Sequence, residues 1–316
     1  MNDIAFRVAE LPKTVKSSTD NYIITICIPT YSRLNDLKKC LDPLLERYGN
    51  STEIEIVVID NGSSDGTSTY LLEQNIYTNT SFFIRESNAG FDINVLDCFY
   101  KAKGQYVHFL GDDDILLIEA FDDLIVTIKK EMPDLVFSNY TVKTSKKTYN
   151  VSKKQTDKFT KIESIFSYVG HYLTFMSSIT LRKQPAALMS MNKYINFKFM
   201  HISLLLETLS GKNAKLIYSN KPIAIATDIN PAAYNVADIF LNDLIHSFRL
   251  NSKDLDFKKL EPFFVSVIRH CIGSNIGILR LLFNNDITNL VGFKILLNFD
   301  IAITLLRRII RNFTIT

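Results

Sequence analysis

Between residues 22 and 140, short apolar, β-branched runs alternate with segments of helical spacing. This alternation constrains the fold more than any other feature. The runs are YIITICIP (22–29), EIEIVVID (53–60), SFFIRE (81–86), QYVHFL (105–110) and DLVFSNY (134–140). Strands that are apolar almost throughout are buried on both faces, as in parallel sheets covered by helices. Between them, Leu34, Leu37, Leu41, Leu44, Leu45 and Tyr48 recur at helical spacing, with Pro43 as an interior residue expected to kink the helix. Asp92 to Ala102 and Ile118 to Glu131 supply two further helices. The pattern predicts an α/β, mostly parallel, doubly wound sheet of Rossmann-like type, whose ligands bind beyond the carboxyl ends of the strands.

The same reading divides the chain. A polar lead-in covers 1–21 and the alternating α/β half covers 22–140. From 141 to 235, Lys- and Ser-rich stretches mix with SSITLRK, HISLLLETL, AKLIYS and KPIAIAT, which are expected to complete the sheet and wall the acceptor side. Residues 236–316 read as a C-terminal helical region. A hydrophobic share of 47% supports a substantial core, and a net charge of +3 gives no argument for nucleic acid. Cys27, Cys40, Cys98 and Cys271 lie in apolar or helical runs without CxxC spacing, as expected for reduced core thiols in a cytoplasmic protein. The start MNDIAFRVAELPK has no apolar core of a secretory signal. No window reaches the ~18 uninterrupted apolar residues of a spanning helix.

Polar clusters follow three of the strands, at PTYSR (29–33), DNGSSD (60–65) and GDDD (111–114), and the doubly wound fold brings such ends to one crevice. Asp112, Asp113 and Asp114 are consecutive carboxylates that repel one another, so a hard divalent cation, Mg²⁺ or Mn²⁺, is their natural neutraliser and a bridge to phosphates. The plain alternative is a solvated acidic turn capping the next helix. Asp60 could accept a hydrogen bond from a base N–H while Asn61, Ser63 and Asp65 cap the following helix, or all of them shape a turn. Thr30, Tyr31 and Arg33 could cradle the base and a phosphate, although Arg33 alone reads as a surface arginine. In ESNAGFDIN (86–94), Gly90 lets backbone approach a ligand, and Asn88 and Asn94 offer amides. GxGxxG after the first strand, GxxxxGK[ST] and HExxH are all missing, against simple dehydrogenase, P-loop and zincin readings.

In order and spacing, IITICIPTYSRLNDLKKCLDPLL, EIVVIDNGSSDGT and NAGFDINVLDCFYKAKGQYVHFLGDDDIL resemble the GT-A domain of family 2 glycosyltransferases, most of all the abequosyltransferase-like subgroup of bacterial surface-polysaccharide (O-antigen or capsule) assembly. The resemblance spans about residues 22 to 140 and implies that this half binds a nucleotide sugar. It implies that Pro29, Thr30, Tyr31 and Asp60 contact the nucleoside and that Asn88 and Asn94 lie near the nucleotide sugar. Asp112 and Asp113 resemble the DXD-type pair, one facing ribose and one the metal, with Asp114 nearby, while Gly111 stands where the family often has a first carboxylate. It further implies an inverting, metal-dependent transfer from a nucleoside-diphosphate sugar, with UDP or dTDP leading because Asp60 suits a uracil-like N–H. The acceptor would be a glycan hydroxyl, lipid-linked in this subgroup.

Members of the family place an acidic base, often an ED pair, at the start of a helix that here reads FKFMHISLLLETLSG. His201 stands nearest that position and Glu207 is the second candidate; six residues apart, they face largely different directions. The missing ED pair leaves open a degenerate sugar-nucleotide-binding subunit that supports a partner transferase. Finally, LVGFKILLNFDIAITLLRRIIRNF (290–313) breaks its apolar run with Lys294, Asp300, Arg307, Arg308 and Arg311. It fits a helix lying in the membrane interface at the inner face of the cytoplasmic membrane, or one packed on the catalytic domain or on a second copy in a homo-oligomer.

Overall fold

The computed structural model of the chain describes residues 9–10, 21–144, 148–184, 191–227 and 243–273. Its first half follows the alternation: β1 (Ala9–Glu10), β2 (Ile24–Thr30), α1 (Leu34–Tyr48), β3 (Ile54–Asp60), α2 (Thr67–Glu73), β4 (Thr80–Ile84), α3 (Phe91–Lys101), β5 (Tyr106–Phe109), β6 (Ile115–Leu116), α4 (Ile118–Glu131) and β7 (Leu135–Lys143). The second half adds β8 (Thr148–Asn150), β9 (Asp157–Phe159), α5 (Ile162–Val169), two 3-10 turns (Gly170–Thr174 and Met176–Ser178), β10 (Ile179–Arg182), α6 (Met200–Leu209), β11 (Leu216–Ala226), α7 (Leu244–Leu250) and α8 (Glu261–Gly273). All strands join one sheet in the order β1-β4-β3-β2-β5-β10-β7-β11-β6, with β8 on β7 and β9 on β11. The strands β4, β3, β2 and β5 run parallel, as do β7 and β11, and β10 enters antiparallel between β5 and β7.

Burial on both faces explains the unbroken apolar strands. Ile24, Ile26 and Ile28 of β2 and Ile54, Ile56 and Val58 of β3 pack under α1, α2 and α4, whereas Cys27, Val57 and Ile59 face α3 and the helices of the second half. On α1, Leu37, Cys40, Leu41, Leu44, Leu45 and Tyr48 are buried, and Pro43 lies within the helix. Pro29 is accommodated because its position faces the β5 side, and the pairing of β2 with β5 ends at Cys27.

Three features depart from the sequence reading. The lead-in contributes an edge strand, β1, paired antiparallel with β4. The division expected at residue 140 falls inside β7. AKLIYS and KPIAIAT form one strand, β11, whose register shifts on either side of Pro222, a residue with no N–H for the ladder. Residues 274–316, including the segment read as membrane-interfacial, lie outside the described residues.

A buried ion pair joins Arg85, just beyond β4, to Asp97 of α3. Burial pushes the Asp97 carboxyl up to about 7, against the opposing charges of Arg85 and Lys101. The folded chain therefore keeps a proton that an unfolded carboxyl near ~4 has released, so this contribution to stability is full below about pH 4 and is lost as pH rises through 7. Asp97→Asn is expected to flatten the decline of stability between roughly pH 4 and 7, read by urea unfolding across that range. An unchanged slope would show that Asp97 ionises freely.

Candidate active site

The polar clusters do meet at the carboxyl edge of β2, β3 and β5. Thr30 Oγ1 donates to Asp112 Oδ2 at 2.8 Å. Arg33, just ahead of α1, places Nη1 3.3 Å from Asp112 Oδ1 and in direct contact with Asp113 Oδ2. The β2–α1 and β3–α2 loops are laced together: Ser32 N–H donates to Ser63 Oγ at 2.7 Å, and Leu34 N–H donates to Asp65 Oδ2 at 2.9 Å. Asp65 thus serves two helices, since its other oxygen accepts from the Thr67 N–H and hydroxyl. Tyr31 is 46% exposed beside this lacing.

Asp60, expected to meet a base N–H, is fully enclosed. Its Oδ1 accepts from the Ser63 N–H and hydroxyl, and its Oδ2 accepts from Ser68 Oγ at 2.7 Å. The carboxylate shapes its own loop. Asn61 and Ser63, expected as helix caps, are used elsewhere: Asn61 Nδ2 donates to Asn88 Oδ1 (2.9 Å) and the Gly90 carbonyl (3.2 Å), and its Oδ1 accepts the Ala89 N–H. Asn61 therefore ties the β4–α3 loop to β3. Asn94 Nδ2 donates to the Thr30 and Ile59 carbonyls where β2 and β3 part, leaving its buried Oδ1 without a partner. Gly90 has φ 93°, and no atom lies within 4 Å of where a Cβ would project, so this backbone faces open space.

The acidic turn sends its three carboxylates into different environments. Burial pushes Asp112 up to about 6, against Thr30 and Arg33, which favour the charged form. Asp113 is the open member, with 42% of its side chain exposed. Asp114 is turned inward: Ser177 Oγ donates to its Oδ2, and burial, then the Asp113 charge, hold its carboxyl well above the ordinary range. Gly111 makes this possible, because a Cβ there would sit 2.7 Å from Asp114 Oδ2. A side chain at 111 would require the Asp114 carboxylate to shift. The turn is pinned from the second half of the chain, by Gly111 N–H donating to Ser177 Oγ at 2.8 Å and Thr227 Oγ1 donating to the Asp113 carbonyl at 2.7 Å.

Of the three carboxylates expected as metal ligands, Asp114 is held by Ser177. Among the described residues no three carboxylate, histidine or cysteine side chains form a cage for a metal ion. Mg²⁺ and Mn²⁺ shared with a substrate need less, one or two carboxylates with the phosphates completing the shell, and Asp113 with Asp112 supplies that set of hard oxygens. The acidic pair fits a metal held jointly with a diphosphate.

Of the two base candidates, His201 is buried and Glu207 keeps 19% of its side chain exposed. His201 is 4% exposed at the start of α6; its Nε2–H donates to the Thr174 carbonyl at 2.9 Å, and Nδ1 is buried without a partner. Burial lowers it to about 4. Glu207 accepts from the Tyr194 hydroxyl at 2.7 Å and pairs with Lys193 at 2.9 Å. A base must reach an acceptor hydroxyl, and in this geometry both side chains are committed to holding structure. Sequence reasoning missed Ser177, which no motif marks, and Thr227, which the rule of carboxyl strand ends could have flagged at the end of β11.

A doubly wound sheet with a carboxylate turn, an arginine and amide-tethered loops at its carboxyl edge defines a GT-A-type glycosyltransferase. Residues 25–194, just over half of the 316, match the model of glycosyl transferase family 2, and the chain belongs to that family. It is 26% identical to abequosyltransferase RfbV of Salmonella typhimurium over 226 residues, 66% of this chain and 67% of that one. It is 30% identical to glycosyltransferase GlyA of Streptococcus pneumoniae over 118 residues, 37% of this chain but only 16% of that protein. The crystal structure of S. aureus TarS 1-349 in complex with UDP shares the fold, with a TM-score of 0.59 at 19% identity, over 82% of this chain and 74% of that one.

His201→Ala is expected to lower stability by about 1–3 kcal/mol, by stranding the Thr174 carbonyl and opening a void, while turnover per folded molecule stays within about tenfold of wild type. Because the folded value is depressed, the native contribution of His201 is full above ~6.5 and is lost as pH falls toward 4, so the variant should also lose less stability over that range. A thousandfold fall in kcat at unchanged Tm would return His201 to the chemistry.

Proposed function

We propose that this chain transfers a sugar from a nucleoside-diphosphate sugar to a hydroxyl of a glycan, by direct displacement at the anomeric carbon with inversion. The observation that carries the reading is the half-open pair of Asp112 and Asp113, bridged by Arg33 beside the N-terminus of α1, in a family 2 chain. Tyr31 and Pro29 give the nucleoside a surface at the end of β2, and Thr30 fixes the rotamer of Asp112. Arg33 and the backbone around Asn88 and Gly90 face the diphosphate and the sugar. Asp113, with Asp112, would hold Mn²⁺ or Mg²⁺, which when bound stabilises the diphosphate leaving group.

With Asp60 enclosed, the choice of base rests on likeness alone. UDP leads, supported by the UDP complex of the similarly folded TarS, with dTDP second. Likeness to an abequosyltransferase favours a deoxyhexose or hexose and a lipid-linked surface-polysaccharide acceptor such as O-antigen. This suits action at the inner face of the cytoplasmic membrane through residues 290–313; among the described residues no helix is long and apolar enough to cross a membrane. The burial of His201 and the pairing of Glu207 with Tyr194 and Lys193 favour, as a second reading, a donor-binding subunit that needs a partner for turnover.

The purified chain, given Mn²⁺, a panel of sugar nucleotides and a glycan extract, is expected to release nucleoside diphosphate. Binding without release under every condition would favour the second reading. Asp113→Ala is expected to lower kcat/KM by at least about a hundredfold, the scale of a lost metal contact, with Tm nearly unchanged because the side chain is half exposed. Full activity of this variant, or of the wild type in EDTA, would remove the metal from the reading.

A further inference from the structure

Arg33 occupies a position that helix stability does not explain. It stands at the N-cap of α1, with φ −139° and ψ 43°, where Ser, Thr, Asp or Asn is favoured and a cation meets the positive end of the helix dipole. Its own side chain caps nothing there; the Leu34 N–H is taken by Asp65 from the neighbouring loop. What holds Arg33 is the pair of carboxylates, since Nη1 lies 3.3 Å from Asp112 Oδ1 and in contact with Asp113 Oδ2. With 37% of its side chain exposed, the guanidinium is open to solvent on one side.

One guanidinium nitrogen and a divalent cation cannot both sit between the same two oxygens. We propose that Arg33 competes with the metal for Asp112 and Asp113 and is released onto the diphosphate of the donor, so that metal and nucleotide binding become interdependent. The inference rests on the metal and donor assigned above. In the absence of nucleotide the arginine neutralises the acidic pair and holds metal affinity down. When a diphosphate arrives, the planar guanidinium gains an acceptor that offers two oxygens to its fork, and the two carboxylates are freed for the cation. The α1 N-terminus reinforces the exchange, because the field that disfavours Arg33 at this position favours an anion beside it. By linkage, the factor by which diphosphate raises metal affinity equals the factor by which metal raises diphosphate affinity. Arg33 is on this account a coupling residue, which disfavours metal capture without a donor.

The test is a thermodynamic cycle on the full chain, with Mn²⁺ affinity read by electron paramagnetic resonance and UDP affinity by calorimetry, each with and without the other ligand. In wild type, UDP should tighten Mn²⁺ binding markedly. Arg33→Met, which keeps the aliphatic stem, should tighten Mn²⁺ binding without UDP by roughly two- to fivefold, the range a half-exposed ion pair supplies. It should weaken UDP binding without metal by about tenfold or more, and the wild-type coupling factor should shrink toward the value set by direct metal–phosphate contact. Arg33→Lys, keeping the charge but not the fork, should fall between the two. If wild type couples the ligands and Arg33→Met leaves both Mn²⁺ affinity and coupling unchanged, or weakens Mn²⁺ binding, the competition is refuted and Arg33 is only a structural ion pair. If wild type binds neither Mn²⁺ nor any nucleoside diphosphate, separately or together, the functional reading itself fails.

Discussion

A strand buried on both faces has no place along its length for a charged side chain, so its chemistry is confined to its ends. In β2 and β3 alternate residues feed two separate helical layers, and the polar exceptions are few: Thr25 and Glu55 at the amino end, bonded to each other at 2.6 Å, and Thr30 and Asp60 at the carboxyl end. The parallel arrangement then gathers the carboxyl ends of β2, β3 and β5 at one edge. The loops are short, and each is tied to the next by side chains that accept backbone N–H groups: Asp65 for the start of α1, Ser63 for Ser32, Asn61 for Ala89. The crevice is thus rigid at its rim because the sheet beneath admits no other place for these residues.

Three adjacent carboxylates at such an edge cannot share one environment, and the structure separates them by neighbour. Asp112 is kept partly charged by Thr30 and Arg33 although burial raises it to about 6. Asp114, enclosed by Ser177 and the space that Gly111 leaves, is pushed toward its neutral form, which removes one of the repulsions. Asp113 is left open to solvent beside the arginine. A run that reads in sequence as three equal ligands therefore becomes one structural acid and one pair able to face a cation.

Much of this was legible in the sequence, because period and strand-end composition report the fold directly. The apolar runs from 22 to 140 mark their strands within two residues, except that β7 runs three residues past its run, and at the strand ends Thr30 and Arg33 bond Asp112 while Asn61 bonds Asn88. The roles of particular side chains were not legible, since they depend on partners distant in the chain. Asp60 reads as a ligand until Ser63 and Ser68 are seen to fill its oxygens. Asp114 reads as a metal ligand until Ser177, 63 positions away, is found bonded to it. The lead-in strand β1 has only two residues and no apolar signature, so no periodicity could mark it.

His201 shows how the second half of the chain reaches the acidic turn through the backbone. Its Nε2–H holds the carbonyl of Thr174, at the end of one 3-10 turn, and the next turn carries Ser177 to both the Gly111 N–H and the Asp114 carboxylate. Thr227, at the end of β11, grips the same acidic turn from the other side through the Asp113 carbonyl. The turn that orients the acidic pair is thus built by the first half and clamped by elements beyond residue 170. A change in those elements that shifts the 3-10 turns will move the acidic turn with them, because Ser177 bonds it at two points. The sheet edge alone therefore does not complete the site; the acidic pair acquires its geometry only when both halves of the chain are folded onto it.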